Sequence, residues 1–129
     1  MRVLYSHHTD FEGDWPWKNF TRPEVSCRHC GEFHYDLKAM TALQLLRDGW
    51  GAPIVITSAH RCADHNRAVG GTVRSNHLKI AFDCACPREK QELFAKTAKI
   101  AGFTGIIRYP SRGFVHLDLR ETPYEDVLP

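Results

Sequence analysis

The sequence lacks any apolar stretch long enough to cross a membrane. Its longest unbroken aliphatic run is Ile54-Val55-Ile56, against about 18–20 residues for a spanning helix. The opening residues, Met1 to His8, hold no apolar core of a secretion signal, so no export leader is expected. Charge of one sign is also missing: 17 basic and 15 acidic side chains leave a net +2. Without a basic stripe, no nucleic-acid partner is expected. There are no internal repeats and no low-complexity runs, and a 43% hydrophobic fraction with 25% charged residues excludes disordered and fibrous classes. A chain of 129 residues supports one compact domain. Against these absences stand eight histidines and five cysteines. An odd cysteine count leaves one thiol over in any fully disulfide-paired framework, and with no export signal a reducing compartment is expected.

Residues 1–19 show no sustained period and are expected to form an irregular arm, packed on the domain by Phe11, Trp15 and Trp17. The domain proper is expected over 20–129. Phe20 to Glu24 reads as a turn leading into Cys27-Arg28-His29-Cys30-Gly31. Asp36 is placed to cap a helix whose stripe is Leu37, Met40, Leu43, Leu45 and Leu46, ended by Gly49 and Gly51. Pro53 to Ser58 reads as a β-branched strand. Ala63 to Val69 reads as a short helix and Ala81 to Cys86 as a strand. Pro87 opens a further helix with Leu93, Phe94, Ala98, Ile100 and Ala101 on its apolar face, stopped by Gly102. Thr104 to Tyr109 and Phe114 to Leu119 form a hairpin around Pro110-Ser111-Arg112-Gly113. The pattern predicts an α+β fold, a small antiparallel sheet flanked by helices.

The densest chemistry lies in Ser75-x-His77, Ala81-Phe82-Asp83 and the strand Phe114 to Leu119. Strand alternation puts His116 and Asp118 on one face, with Val115, Leu117 and Leu119 on the other. Two imidazoles and a carboxylate suit a hydrolytic zinc ion, which keeps a fourth position for water. The same residues also read as a loop histidine, a turn cap and a hydrogen-bonded sheet histidine, and spacing alone does not separate these readings.

From Phe20 to Leu119 the chain resembles the zinc D-alanyl-D-alanine carboxypeptidase superfamily, with its hedgehog-like fold, which includes phage endolysins and murein endopeptidases. The ordered matches are Cys27-x-x-Cys30-Gly31, Leu43 to Asp48, Pro53 to Cys62, and His65 to Gly71. Ser75-x-His77, Ala81-Phe82-Asp83 and Gly102-Phe103-Thr104-Gly105 follow, then Tyr109-Pro110 and Gly113 to Asp118. The resemblance implies one catalytic zinc ion held by His77, Asp83 and His116. It implies that Arg61 binds a substrate carboxylate or carbonyl, which a guanidinium fork suits, and that Ser75 orients substrate. His60 and Tyr109 are expected to line the cleft.

Two features depart from the family pattern. Relatives place one residue more between the first histidine and the aspartate, so the segment after His77 must tighten for Asp83 to reach the metal; Cys84 is the substitute ligand if it does not. Several relatives also carry a carboxylate at the position of Gly113. Asp118 is therefore the expected polar partner, either as base for the zinc water or as orienter of His116, with an ion pair to Arg120 as the plain alternative. Cys27 and Cys30 are half of a structural zinc site, which His29, His34 or Cys62 could complete, but a small thiol cluster without metal is the expectation.

The resulting expectation is a monomeric zinc metallopeptidase acting on peptidoglycan stem peptides or cross-links. As an endolysin-type phage or prophage enzyme it would wait in the host cytoplasm until lysis, with no membrane partner. The alternative is a non-catalytic zinc-binding domain of the same fold, serving as a structural or interaction module.

Overall fold

A computed structural model describes residues 2–71 and 80–129. Seven strands and three α-helices are present among them. β1 (Arg2–Tyr5) pairs antiparallel with β2 (Phe33–Asp36) in a separate ribbon, Val3 opposite Tyr35. The irregular arm expected over the first 19 residues is thus corrected: it begins with a strand and continues through a 3-10 turn at His8–Asp10. Phe11 and Trp17 are buried and Trp15 packs against the same core. Phe11 lies edge-on to Phe33, 5.9 Å between ring centres.

α1 (Leu37–Trp50) starts where Asp36 accepts hydrogen bonds from the backbone amides of Lys38 and Ala39, and ends at Gly51 with φ +72°. The left-handed conformation there is one that glycine adopts without steric cost. Its buried stripe is Ala39, Met40, Ala42, Leu43 and Leu46, spaced as one helical face requires. Leu37 and Leu45, expected on that stripe, are exposed. α2 (Ala63–Ala68) is a single short turn-and-a-half. α3 (Arg88–Ala101) buries Gln91, Phe94, Ala95 and Ala98, while Leu93 and Ile100 face solvent. Phe94 stands perpendicular to Trp50, 5.0 Å away, joining α3 to α1.

The main sheet comprises β3 (Ile56–Ser58), β4 (Phe82–Ala85), β5 (Gly105–Tyr109), β6 (Phe114–Asp118) and β7 (Tyr124–Val127), in the order β3-β4-β6-β5-β7. All pairings are antiparallel except β5 with β7, which is parallel. α3 packs on β5 and β6. Phe82, Cys84, Ile106, Val115 and Leu117 point into that core and are almost fully buried. Gln91, with no exposed surface, donates from Nε2 to the carbonyls of Cys86 (2.9 Å) and Tyr109 (3.1 Å). That single amide pins the β5–β6 turn to the helix, because buried carbonyls need donors. The opposite face of β4 and β6 carries the polar residues.

Candidate functional site

The site begins as a register fact. β4 and β6 pair with Asp83 opposite His116, and side chains opposite one another in an antiparallel ladder share a face. His116 Nδ1 lies 3.0 Å from Asp83 Oδ1. Two residues along β6, Asp118 shares the face, and its Oδ2 lies 2.7 Å from His116 Nε2. The imidazole is clamped between two carboxylates. Cys84, the substitute ligand weighed on sequence grounds, points into the core and is fully buried. Burial, followed by the charge of Asp83, drives its thiol far above the ordinary range, so it is no rival to Asp83. Asp83 thus shares a face with His116, while the tightening expected after His77 lies outside the described residues.

Asp118 is 3% exposed, and its two oxygens accept four hydrogen bonds. Oδ1 takes the backbone amide of Arg120 (3.0 Å) and its Nε (2.8 Å). Oδ2 takes His116 Nε2 and Arg120 Nη2 (2.5 Å). A carboxylate offers about four lone-pair directions, and all are used. Burial alone would raise the Asp118 pKa, but the Arg120 and His116 hydrogen bonds outweigh it and hold the group far below the usual carboxylate range. Burial likewise pulls His116 down, yet the hydrogen bonds and charges of Asp118 and Asp83 prevail and leave it above its ordinary value. Both alternatives to a catalytic base for Asp118, orienting His116 and pairing with Arg120, are present together. The contacts are those of a residue that positions His116.

Gly105 completes this corner. It lies opposite Asp118 across β5–β6, and a methyl group there would collide with the Asp118 carboxylate and Arg120 Nε. Gly113, where some relatives carry a carboxylate, has φ +72° in the hairpin and donates its amide to the Tyr109 carbonyl (2.9 Å). The turn demands a conformation that an L-carboxylate residue adopts only with strain.

Arg61 is half-buried just beyond β3; burial lowers its pKa, and the charge of nearby Asp83 offsets that only in part. His60, expected to line the cleft, is corrected. Its side chain is 1% exposed and its Nε2 sits 2.7 Å from Glu32 Oε1, so it offers substrate no surface. Tyr109 is half-exposed and stacks on Phe114 at 4.3 Å, with the Arg112 guanidinium over both rings. This platform lies on the His116 face, one pleat repeat away. Ser75 and His77 lie outside the described residues.

An imidazole nitrogen and a carboxylate oxygen fit a zinc ion chemically. Two ligands at about 2.0–2.1 Å from a tetrahedral ion stand roughly 3.3 Å apart, close to the 3.0 Å between Nδ1 and Oδ1. The carboxylate on Nε2 is the outer partner that a metal-binding histidine ordinarily has. A family model described as Peptidase M15 matches residues 18–118. No curated protein matches the chain.

Proposed function

The chain belongs to the peptidase M15 family, and on that premise we propose that it is a zinc-dependent peptidase cleaving peptide bonds in peptidoglycan stem peptides or cross-links. The observation that carries the reading is the chain of contacts Asp83–His116–Asp118–Arg120, which presents one ring nitrogen and one carboxylate oxygen to a common point and locks the other ring nitrogen. Asp83 and His116 would hold the ion, with His77 as third ligand on the strength of the family resemblance.

The ion, when bound, supplies Lewis acidity to the scissile carbonyl and lowers the pKa of a bound water to about 7. The protein's own residues do the rest. Asp118 accepts a hydrogen bond from His116 Nε2, which favours the tautomer that turns the Nδ1 lone pair toward a metal. Arg120 holds Asp118 ionised. Arg61 binds the substrate carboxylate or carbonyl beside Asp83, and Ser75 orients the peptide. Tyr109, with Phe114 beneath it, offers a flat surface for the peptide backbone or its side chains.

A phage or prophage origin, with the enzyme held in the host cytoplasm until lysis and acting as a monomer, accords with this substrate. No helix among the described residues is long and apolar enough to cross a membrane. Digestion of purified murein sacculi, with mass analysis of released fragments, tests the proposal and identifies the bond. Fragments ending at a stem-peptide cleavage are expected. A zinc-loaded chain that releases none across a range of pH would instead make the fold a non-catalytic zinc-binding module.

A further inference from the structure

A second group of ligand-type atoms lies away from the Asp83–His116 pair. The Sγ atoms of Cys27, Cys30 and Cys62 all fall within 4.8 Å of one another. They come from two segments 30 residues apart: the Cys27-x-x-Cys30-Gly31 loop and the N-terminus of α2, where Cys62 is the capping residue. Three thiolates around a tetrahedral zinc ion, each at about 2.3 Å, stand roughly 3.8 Å apart. A single disulfide brings only two sulfurs together, to about 2.05 Å, and gives no reason for a third to join them.

The backbone is also shaped for sulfur ligation. Gly31 has φ +82°, and its amide closes the loop on the Cys27 carbonyl at 2.8 Å. The Cys27 amide bonds the Glu32 carbonyl at 2.8 Å. The amides of His29 and Cys30 in that loop, and that of Cys62 from the other segment, donate toward the Cys27 sulfur. The His65 amide donates to Cys62 Sγ at 3.4 Å. Amides gathered on sulfur stabilise thiolate charge, and three thiolates crowded together repel unless a cation sits among them. Arg28 Nη2 donates to the Ile56 carbonyl at 2.7 Å, fastening the loop to β3. The imidazoles of His29 and His65 stack at 5.6 Å, 5° from parallel. One comes from each of the same two segments, which ties them together a second time, while the close-set ligand group itself is the three sulfurs.

We propose that Cys27, Cys30 and Cys62 hold a structural zinc ion distinct from the catalytic one. Soft thiolates select thiophilic ions of this kind, and a closed site stabilises the fold outright. The ion would tie the loop over 27–31 to the residue directly after Arg61, and so hold that side chain beside Asp83. The proposal does not depend on peptidase activity.

The test is cobalt substitution of the full-length chain purified under reducing conditions. Wild type and His116→Ala are both expected to show thiolate-to-cobalt charge-transfer absorption in the near ultraviolet. Cys27→Ser and Cys62→Ser are expected to lose it, together with one equivalent of metal. Should either variant fail to fold, thiol titration of the wild-type chain decides. Three cysteines are expected to be protected in the zinc-loaded protein and to react after chelation. A folded wild-type chain whose bound cobalt shows no sulfur charge transfer overturns the proposal, as does a disulfide among these cysteines or a reactivity that chelation leaves unchanged. Loss of peptide release with the sulfur band intact would count against the peptidase reading alone.

Discussion

Gly105 and Asp118 face each other across the β5–β6 ladder, and the space left by the missing side chain of one is filled by the carboxylate of the other. The glycine is therefore a packing requirement of the His116–Asp118–Arg120 chain rather than a turn residue. Gly105→Ala is expected to cost about 1–3 kcal/mol of stability, the usual range for overpacking, and to weaken zinc binding with it. Denaturant unfolding and a chelator competition read the two effects. An alanine variant with wild-type stability and wild-type zinc affinity would mean that Asp118 is not held where the ladder puts it.

Asp118→Asn separates two roles. An outer partner of a metal-binding histidine typically changes metal affinity or activity by about 10–100-fold. Because all four acceptor directions of Asp118 are occupied, the variant is expected to lose zinc affinity along with turnover. Unaltered zinc affinity with turnover reduced by orders of magnitude would make Asp118 the base.

Arg61→Ala is expected to raise KM by about 10–100-fold, the equivalent of a lost charge-assisted hydrogen bond of roughly 1.5–3 kcal/mol, at unchanged zinc content. Steady-state kinetics on a soluble stem-peptide substrate measure it. An unchanged KM removes the residue from substrate binding.

The pH behaviour has a worked sign. Asp118 is depressed when folded, so its stabilising contribution is complete above the ordinary carboxylate pKa of about 4 and fades as pH falls toward the lower folded value. His116 is raised in the zinc-free chain, so its contribution there is complete below about 6.5 and fades as pH rises through the higher folded value. Imidazole resonances of the zinc-free chain should show His116 titrating above 6.5, and zinc should abolish that titration. A titration at or below 6.5 would show that the two carboxylates do not outweigh burial.

Much of this arrangement was legible in local pattern. The Asp36 cap, the Gly51 and Gly102 stops and the alternation in β6 all report backbone chemistry within a few residues. β1, β2 and β7 were not legible. Phe33–Asp36 is four residues long and finds its partner some thirty residues earlier. β7 is an exposed parallel edge whose side chains carry no apolar alternation. Leu37, Leu45, Leu93 and Ile100 are exposed against expectation, because helix periodicity says which residues are apolar together, not how wide a stripe the neighbours cover. In the site, the shared face of His116 and Asp118 followed from strand alternation. The burial of His60 did not, since it depends on Glu32, 28 residues away. Gly105 stood in a matched motif but carried no signal of its own, because its role is set by a side chain across the sheet. Cys62 was named as one of several candidates to join Cys27 and Cys30, and only the fold singles it out.

The central claim is that an ion on Asp83 and His116 makes this chain a peptidase. Peptide release from murein sacculi, measured as zinc is added back to the metal-depleted chain, tests it most directly when wild type and His116→Ala are run side by side. Release is expected to return with zinc in the wild type and to stay absent in the variant, which should bind one zinc fewer while remaining folded. Equal release by the two proteins, or release indifferent to zinc, would contradict the account.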